Sequence, residues 1–519
     1  MSRVDATAPG IDEYLRRSLL ATVYDVARET PLELAPRLSA KLGHQVLVKR
    51  EDTQPIFSFK LRGAYNKMVR LSATALARGV VAASAGNHAQ GVALAATRLG
   101  SRAVIVMPRT TPSIKVEAVR ALGATVTLVG DTLEQAAEHA TALAEQGGLT
   151  YVHPYDDPDV IAGQGTIGIE LLRQCPGRLD AIFVPVGGGG LIAGIGAVVK
   201  ALRPEVRIIA VEPEGADAMI RSLREKRRVT LAAVSRFAEG VAVSAPGVET
   251  LRIAERVVDE GVVVSNDEIC AAIRDLFEDR RAMLEPSGAL AYAGMKRWAH
   301  EHPQVRGATM IAITSGANVN FDRLRYVSER ADAGEQREVI FAVTIPEKTG
   351  SFRQFCQVLG DRHVTECSYR IAQGARAQVF VGLRVEARDE AAGLVGALRT
   401  EGYGVIDLTD NEVAKLHVRH LGGGRAPHVR DERLLAFWFP ERTGALAQFL
   451  AAMRHPWSIS LFHYRNHGSD FGRVLVGLVV PREDSAALAE FLAALGFEWS
   501  DVGDDPACQT FLGRPDAQA

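Results

Sequence analysis

The chain has 519 residues, 47% apolar and 24% charged, the balance of an ordinary soluble protein of about two to four domains. Lys plus Arg is 60 and Asp plus Glu is 62, and the resulting net charge of -2 gives no electrostatic case for nucleic acid or an anionic membrane surface. Five scattered cysteines without a C-x-x-C pair argue against a disulfide framework and a zinc site, so no metal is expected. Met1 to Gly10 has no apolar core of a secretory signal, and no run reaches the roughly 18 apolar residues of a membrane span. The expected location is the cytoplasm.

From about residue 45 to 320, short β-branched runs alternate with helical patterns. This predicts an α/β domain with helices on both sheet faces and its chemistry at the carboxyl ends of the strands. Val46 to Val48 predicts the first buried strand, and Ser58-Phe59-Lys60-Leu61-Arg62-Gly63-Ala64 then opens a helix. Most lysines are solvated surface groups. Lys60, however, lies between Phe59 and Leu61 with Phe57 nearby, and partial desolvation disfavours its ammonium form. A lysine so placed is suited to forming a Schiff base. Val80 to Ala83 predicts the next strand, followed by Ser84-Ala85-Gly86-Asn87-His88-Ala89-Gln90-Gly91 and a helix from Ala89 to Leu99. Small residues let the backbone approach a ligand, and amides at a helix start favour a carboxylate or phosphate. Alternatively, Asn87 simply caps the helix.

Strands are predicted at Ala103 to Met107 and Val126 to Val129, with helices at Ile114 to Leu122 and Thr132 to Glu145. Ala181 to Val186 leads into Gly187-Gly188-Gly189-Gly190-Leu191 and the helix Ile192 to Leu202. Consecutive glycines at a strand-to-helix turn aim several amides at one anion, a phosphate cup. Gly188, Gly190 and Ala193 also match a dinucleotide-binding spacing, with Glu212 after the strand Ile208 to Val211 as its ribose acid. Glu285-Pro286-Ser287-Gly288-Ala289 opens a further helix, with Glu285 either structural or facing the site. Met310 to Ile313 is the last strand, and Thr314-Ser315-Gly316-Ala317-Asn318 is either a plain turn or brings Ser315 to a bound ring nitrogen. The charged stretch Arg323 to Glu338 reads as a linker after a terminal helix.

An internal repeat follows. Ile345-Pro346-Glu347-Lys348-Thr349-Gly350 is echoed by Phe439-Pro440-Glu441-Arg442-Thr443-Gly444, with the prolines 94 residues apart. Tyr369-Arg370 recurs as Tyr464-Arg465, and Val379 to Leu383 as Val474 to Leu478, both 95 residues on. Each copy reads as a βαββαβ-type unit with helices on one sheet face. The linker between copies is expected at Leu421 to Pro427.

Taken in this order, Ser58 to Gly63, Ser84 to Gly91, Gly187 to Leu191 and Ser315 to Asn318 resemble the fold type II pyridoxal-phosphate enzymes. With the repeat, the chain closely resembles, over nearly its whole length, the long biosynthetic threonine dehydratases (threonine ammonia-lyases). The resemblance implies a catalytic domain at 1–330 made of two open α/β subdomains, and ACT-like regulatory units at 338–412 and 432–505. It implies pyridoxal 5'-phosphate held by the catalytic Lys60, Asn87 on the cofactor hydroxyl, phosphate against Gly187, Gly188, Gly189, Gly190 and Leu191, and Ser315 at the pyridine nitrogen. The substrate would lie on Ser84, Ala85, Gly86, Asn87 and His88.

The implied reaction turns threonine into 2-oxobutanoate and ammonia, the first step of isoleucine biosynthesis, with serine a secondary substrate. The implied assembly is a homotetramer inhibited by isoleucine and opposed by valine. Effector candidates are Phe352, Tyr369, Leu446 and Tyr464, whose matching is otherwise repeat packing. The organelle transit peptide of plant and fungal members is absent, which points to a bacterial enzyme. The alternatives are a serine-preferring dehydratase or racemase of the same fold, and a small-molecule binding protein with an inactive catalytic domain.

Overall fold

The computed structural model describes residues 9–321, 323–334, 338–346, 351–359, 364–369, 376–385, 389–418, 431–440, 445–453, 455, 457–465 and 471–512. The chain divides into two units, Met1–Ala331 and Asp332–Ala519.

The first unit carries β1 (Leu32–Leu34), β2 (Gln45–Arg50), β3 (Val80–Ala83), β4 (Ala103–Met107), β5 (Thr125–Leu128), β6 (Thr150–Tyr151), β7 (Ala181–Pro185), β8 (Arg207–Pro213), β9 (Glu260–Val264) and β10 (Thr309–Thr314). The larger sheet has the order β1-β2-β10-β7-β8-β9, parallel except for β1 at its edge. The smaller sheet, β5-β4-β3-β6, is parallel throughout. Every residue of β3, β7 and β10 is buried, because helices cover both faces, so these strands read as continuous apolar runs without alternation.

The seven expected strands are present, with their ends moved by a residue or two. β1, β6 and β9 were not foreseen. Thr132 starts the helix Leu133–Gly147 by accepting a hydrogen bond from the Gln135 amide. The charged segment after β10 differs from expectation. Arg323–Gly334 is a helix, and Glu338 already begins a strand. Two of its charges are internal: Arg323 pairs with Glu239 at 3.1 Å, and Arg330 pairs with Asp267.

A buried ionic network underlies the helix Lys60–Met68. Arg62, fully buried, donates to both oxygens of Glu51 at 2.8 Å and to Glu170 at 2.6 Å. Lys49 donates to the other Glu170 oxygen at 2.6 Å. Such charges are tolerable inside a core only when fully partnered, and this pairing clamps the helix to β2 and to the helix Pro158–Gln174.

The second unit repeats one topology. β11 (Glu338–Pro346), β12 (Val364–Tyr369), β13 (Arg376–Arg384) and β14 (Gly404–Asp407) form the antiparallel sheet β12-β13-β11-β14. β15 (Glu432–Pro440), β16 (Ser458–Arg465), β17 (Phe471–Val479) and β18 (Glu498–Asp501) form β16-β17-β15-β18 in the same manner. The helices Ser351–Leu359 and Glu390–Thr400 complete one βαββαβ unit, and Ala445–Ala452 and Ser485–Leu495 the other. Phe341 with Phe355, and Phe437 with Phe449, fill the two cores. The register shift at Val364/Glu366 recurs at Ile459/Leu461, so the repeat extends to its irregularities. The repeated segments 347–350 and 441–444 and the expected linker at 421–427 lie outside the described residues. Among the described residues, no helix is long and apolar enough to cross a membrane.

Candidate active site

Lys60 is the first residue of its helix, and its amine donates to the Pro154 carbonyl at 2.9 Å beside the Phe59 ring. Burial lowers the amine to about 8, against a smaller opposing pull from Glu285. The preceding segment is laced to the end of β10. Ser58 bridges Gly316, the Phe59 amide donates to the Ser315 carbonyl at 3.3 Å, and the Ala317 amide donates to the Phe57 carbonyl at 2.9 Å. Phe57 is held at φ 56, a left-handed conformation costly for a bulky residue and of a kind that clusters at functional sites.

The four-glycine turn follows β7 and opens the helix Gly190–Leu202. A Cβ on Gly188 would lie 2.3 Å from the Tyr155 ring, and one on Gly187 would lie 2.8 Å from the Val241 backbone. Gly189 has φ +97, which side chains other than glycine rarely adopt. The Gly188 carbonyl accepts from the Thr250 hydroxyl at 2.6 Å and the Gly247 amide at 3.1 Å. Because a trans peptide sets its N–H opposite its carbonyl, the Gly189 amide points away from these partners. No side chain caps this helix start, which leaves its amides available to an anion.

On the smaller-sheet side, Gly86 is the N-cap of the helix Asn87–Arg98, again without a side-chain cap bond. Asn87 is therefore not the cap. Its Nδ2 donates to Glu285 at 2.6 Å, and its Oδ1 accepts from Asn318 at 2.6 Å. Glu285 occupies the N-cap position of the helix Pro286–Glu301, yet it makes no cap bond and faces Asn87. Burial raises its carboxyl to about 7. The Ser84 hydroxyl accepts from the Gly86 amide at 3.3 Å, and open space surrounds the position of a Gly86 Cβ. His88 lies 2.8 Å from the Val152 carbonyl, and burial with nearby Lys60 pushes it down to about 3, so it is neutral. The buried Ser315 hydroxyl donates to the Ser287 carbonyl at 3.2 Å.

The structure thus brings Lys60, Asn87, the glycine turn and Ser315 to the carboxyl ends of the two parallel sheets. It also adds residues that the sequence reading missed. His153-Pro154-Tyr155-Asp156-Asp157 follows the two-residue β6. Pro154 holds Lys60, the Tyr155 ring covers Gly188, and Asp156 accepts the first amides of the helix Val248–Val257. The dense run of His, Pro and Asp was the available signal. Glu212 is occupied otherwise than as a ribose ligand: its two oxygens accept the Met219 and Ile220 amides. The backbones of Phe352, Tyr369, Leu446 and Tyr464 lie in regular elements of the second unit, but their side chains are outside what is described.

A half-buried amine of lowered pKa, an uncapped glycine turn at a helix start and a buried serine hydroxyl fit an aldehyde cofactor with a phosphate and a ring nitrogen. Residues 23–316 match the family model of pyridoxal-phosphate dependent enzymes, which gives the class. Residues 329–418 and 423–512 each match the model of the C-terminal regulatory domain of threonine dehydratase. The chain is 54% identical over 503 residues to a biosynthetic L-threonine dehydratase of Burkholderia multivorans, covering 96% of this chain and 99% of that one. It is 50% identical to the biosynthetic L-threonine dehydratase of Escherichia coli, covering 97% and 98%.

Among solved structures, the processed form of threonine deaminase isoform 2 from Solanum lycopersicum superposes with a TM-score of 0.61 at 51% identity, over 62% of this chain and 93% of that one. Maize serine racemase superposes with 0.57 at 33% identity, over 62% and 97%. The chain belongs to the biosynthetic threonine dehydratases, a pyridoxal-phosphate-dependent family.

Proposed function

We propose that the chain eliminates water from L-threonine, after which one water is taken back and ammonia is released to leave 2-oxobutanoate, with serine as a slower substrate. The observation that carries this reading is the half-buried Lys60 amine on the Pro154 carbonyl, lowered to about 8. Pyridoxal phosphate, when bound, supplies the electron sink for breaking bonds at the substrate's α-carbon. Lys60 holds the cofactor. Its amine, when neutral and free, would serve as the base for the α-proton. The amides from Gly187 to Leu191 would hold the phosphate, with Asn87 at the ring hydroxyl and Ser315 at the ring nitrogen. A hydroxyl there carries no charge and does not enforce protonation of the ring, which favours loss of the β-hydroxyl over transamination. The segment Ser84, Ala85, Gly86, Asn87 and His88 takes the substrate carboxylate on its uncapped helix start.

The second unit carries control. Isoleucine binds and inhibits there and valine opposes it, in a homotetramer of the cytoplasm. The match of 329–418 and 423–512 to the regulatory-domain model supports this, and an effector needs only to prefer one quaternary state. The test is to incubate the protein with threonine and serine in parallel and measure ammonia and 2-oxo acid. Equal release of ammonia and 2-oxobutanoate from threonine, faster than pyruvate from serine, supports the reading. Racemised serine without ammonia would replace it with the racemase.

A further inference from the structure

Lys115 stands at a helix position unfavourable to a lysine. It is the third residue of Ser113–Ala121, in the first turn, where the helix dipole disfavours a cation. Its amine instead lies 2.5 Å from Glu239, on the turn Glu239–Val241 of the larger-sheet half. Arg323 pairs with the other Glu239 oxygen at 3.1 Å and donates to the Phe237 carbonyl at 2.8 Å, which fixes the turn to its own half. Burial pushes the Glu239 carboxyl up, but Arg323 and Lys115 together outweigh it and hold the carboxyl below its ordinary value. Both side chains of the Lys115–Glu239 pair are largely shielded, at 17% and 27% exposure, so water screens this pair less than a surface one.

The turn that Glu239 anchors is part of the pocket wall. A Cβ on Gly240 would lie 2.8 Å from the Ser287 hydroxyl and 3.7 Å from Glu285, and Val241 packs on Gly187. The helix Ser113–Ala121 follows β4, the neighbour of β3, whose own end carries Ser84 to His88. The ion pair therefore spans the cleft, from the half that bears the substrate loop to the wall beside Glu285 and the glycine turn.

We propose that Lys115 is a positioning residue for the reaction, gripping Glu239 across the cleft so that the Ser84 to His88 loop is held over Lys60. This rests on the cofactor reading above. The test uses the full-length, cofactor-loaded protein with Lys115→Met, Lys115→Arg, Glu239→Gln and the double variant Lys115→Met/Glu239→Gln. Lys115→Met is expected to lower kcat for threonine by about 10- to 100-fold, the scale of a misplaced reacting group, with cofactor content and absorbance unchanged. Lys115→Arg should recover most of that loss, and the double variant should be no worse than the poorer single one.

A loss confined to KM would mean that Lys115 only binds substrate, and would overturn the proposal. Wild-type kcat in Lys115→Met, or losses that multiply in the double variant, would overturn it too. If Lys115→Met does not fold, the near-isosteric Glu239→Gln carries the test, and wild-type kcat there is the contrary result. A wild-type protein that is colourless and inert toward threonine would instead sink the cofactor reading.

Discussion

The amide of Asn87 donates to the carboxyl of Glu285 across 2.6 Å, joining the helix start after β3 to the helix start before β10. Asn318 closes the other side of the same amide. Asn87 thus has one orientation, with its oxygen engaged and one hydrogen of its nitrogen left for a ligand.

That contact gives the first expectation. Above about 7, Glu285 is an anion that favours the ammonium form of Lys60, whose amine is neutral only above about 8. Cofactor uptake by cofactor-free protein needs the neutral amine, so its rate should rise with pH and level off above about 8. Glu285→Gln removes the anion and should move this limb to lower pH. Stopped-flow absorbance against pH measures both, and an unmoved limb contradicts the coupling.

The glycine turn gives the second. Gly188→Val places a branched side chain into the Tyr155 ring, and Gly189→Val forces an unfavourable φ. Both variants should lose cofactor on dilution, measured by absorbance titration. Full occupancy in dilute solution would put the phosphate elsewhere.

Arg62 gives the third. Arg62→Met strands Glu51 and Glu170 without their main partner and should cost about 3–5 kcal/mol of stability. Thermal and urea unfolding of the first unit's signal would record it. A change below about 1 kcal/mol, the scale of an exposed pair, would mean the network contributes little.

The fourth concerns control. A fragment ending at Ala331 should respond to threonine without inhibition by isoleucine, whereas the full chain should be inhibited. A fragment that isoleucine still inhibits would place the effector in the first unit.

Much of this was legible in the sequence because parallel strands buried on both faces leave continuous Val, Ile and Ala runs, as in β3, β7 and β10. The repeat was legible because two copies of one topology keep the same residues at equivalent positions, as Val379 to Leu383 on β13 and Val474 to Leu478 on β17. β6 was not, since two residues carry no period. Nor was β9, whose apolar run Val262 to Val264 is too short to show a period. The Lys60 partner was hidden because Pro154 acts through its carbonyl, which no side chain announces. The segment from Arg323 read as a linker because a sequence lists charges without their partners, and Glu239 and Asp267 are 84 and 63 residues away.

The most direct test of the central claim is borohydride treatment of the purified protein, followed by peptide mass mapping. The expected result is a yellow protein that bleaches, with the cofactor's mass fixed on the peptide containing Lys60, and a Lys60→Ala variant that folds but neither traps cofactor nor turns over threonine. Cofactor trapped on another lysine, or a Lys60→Ala variant that still releases 2-oxobutanoate, would contradict it.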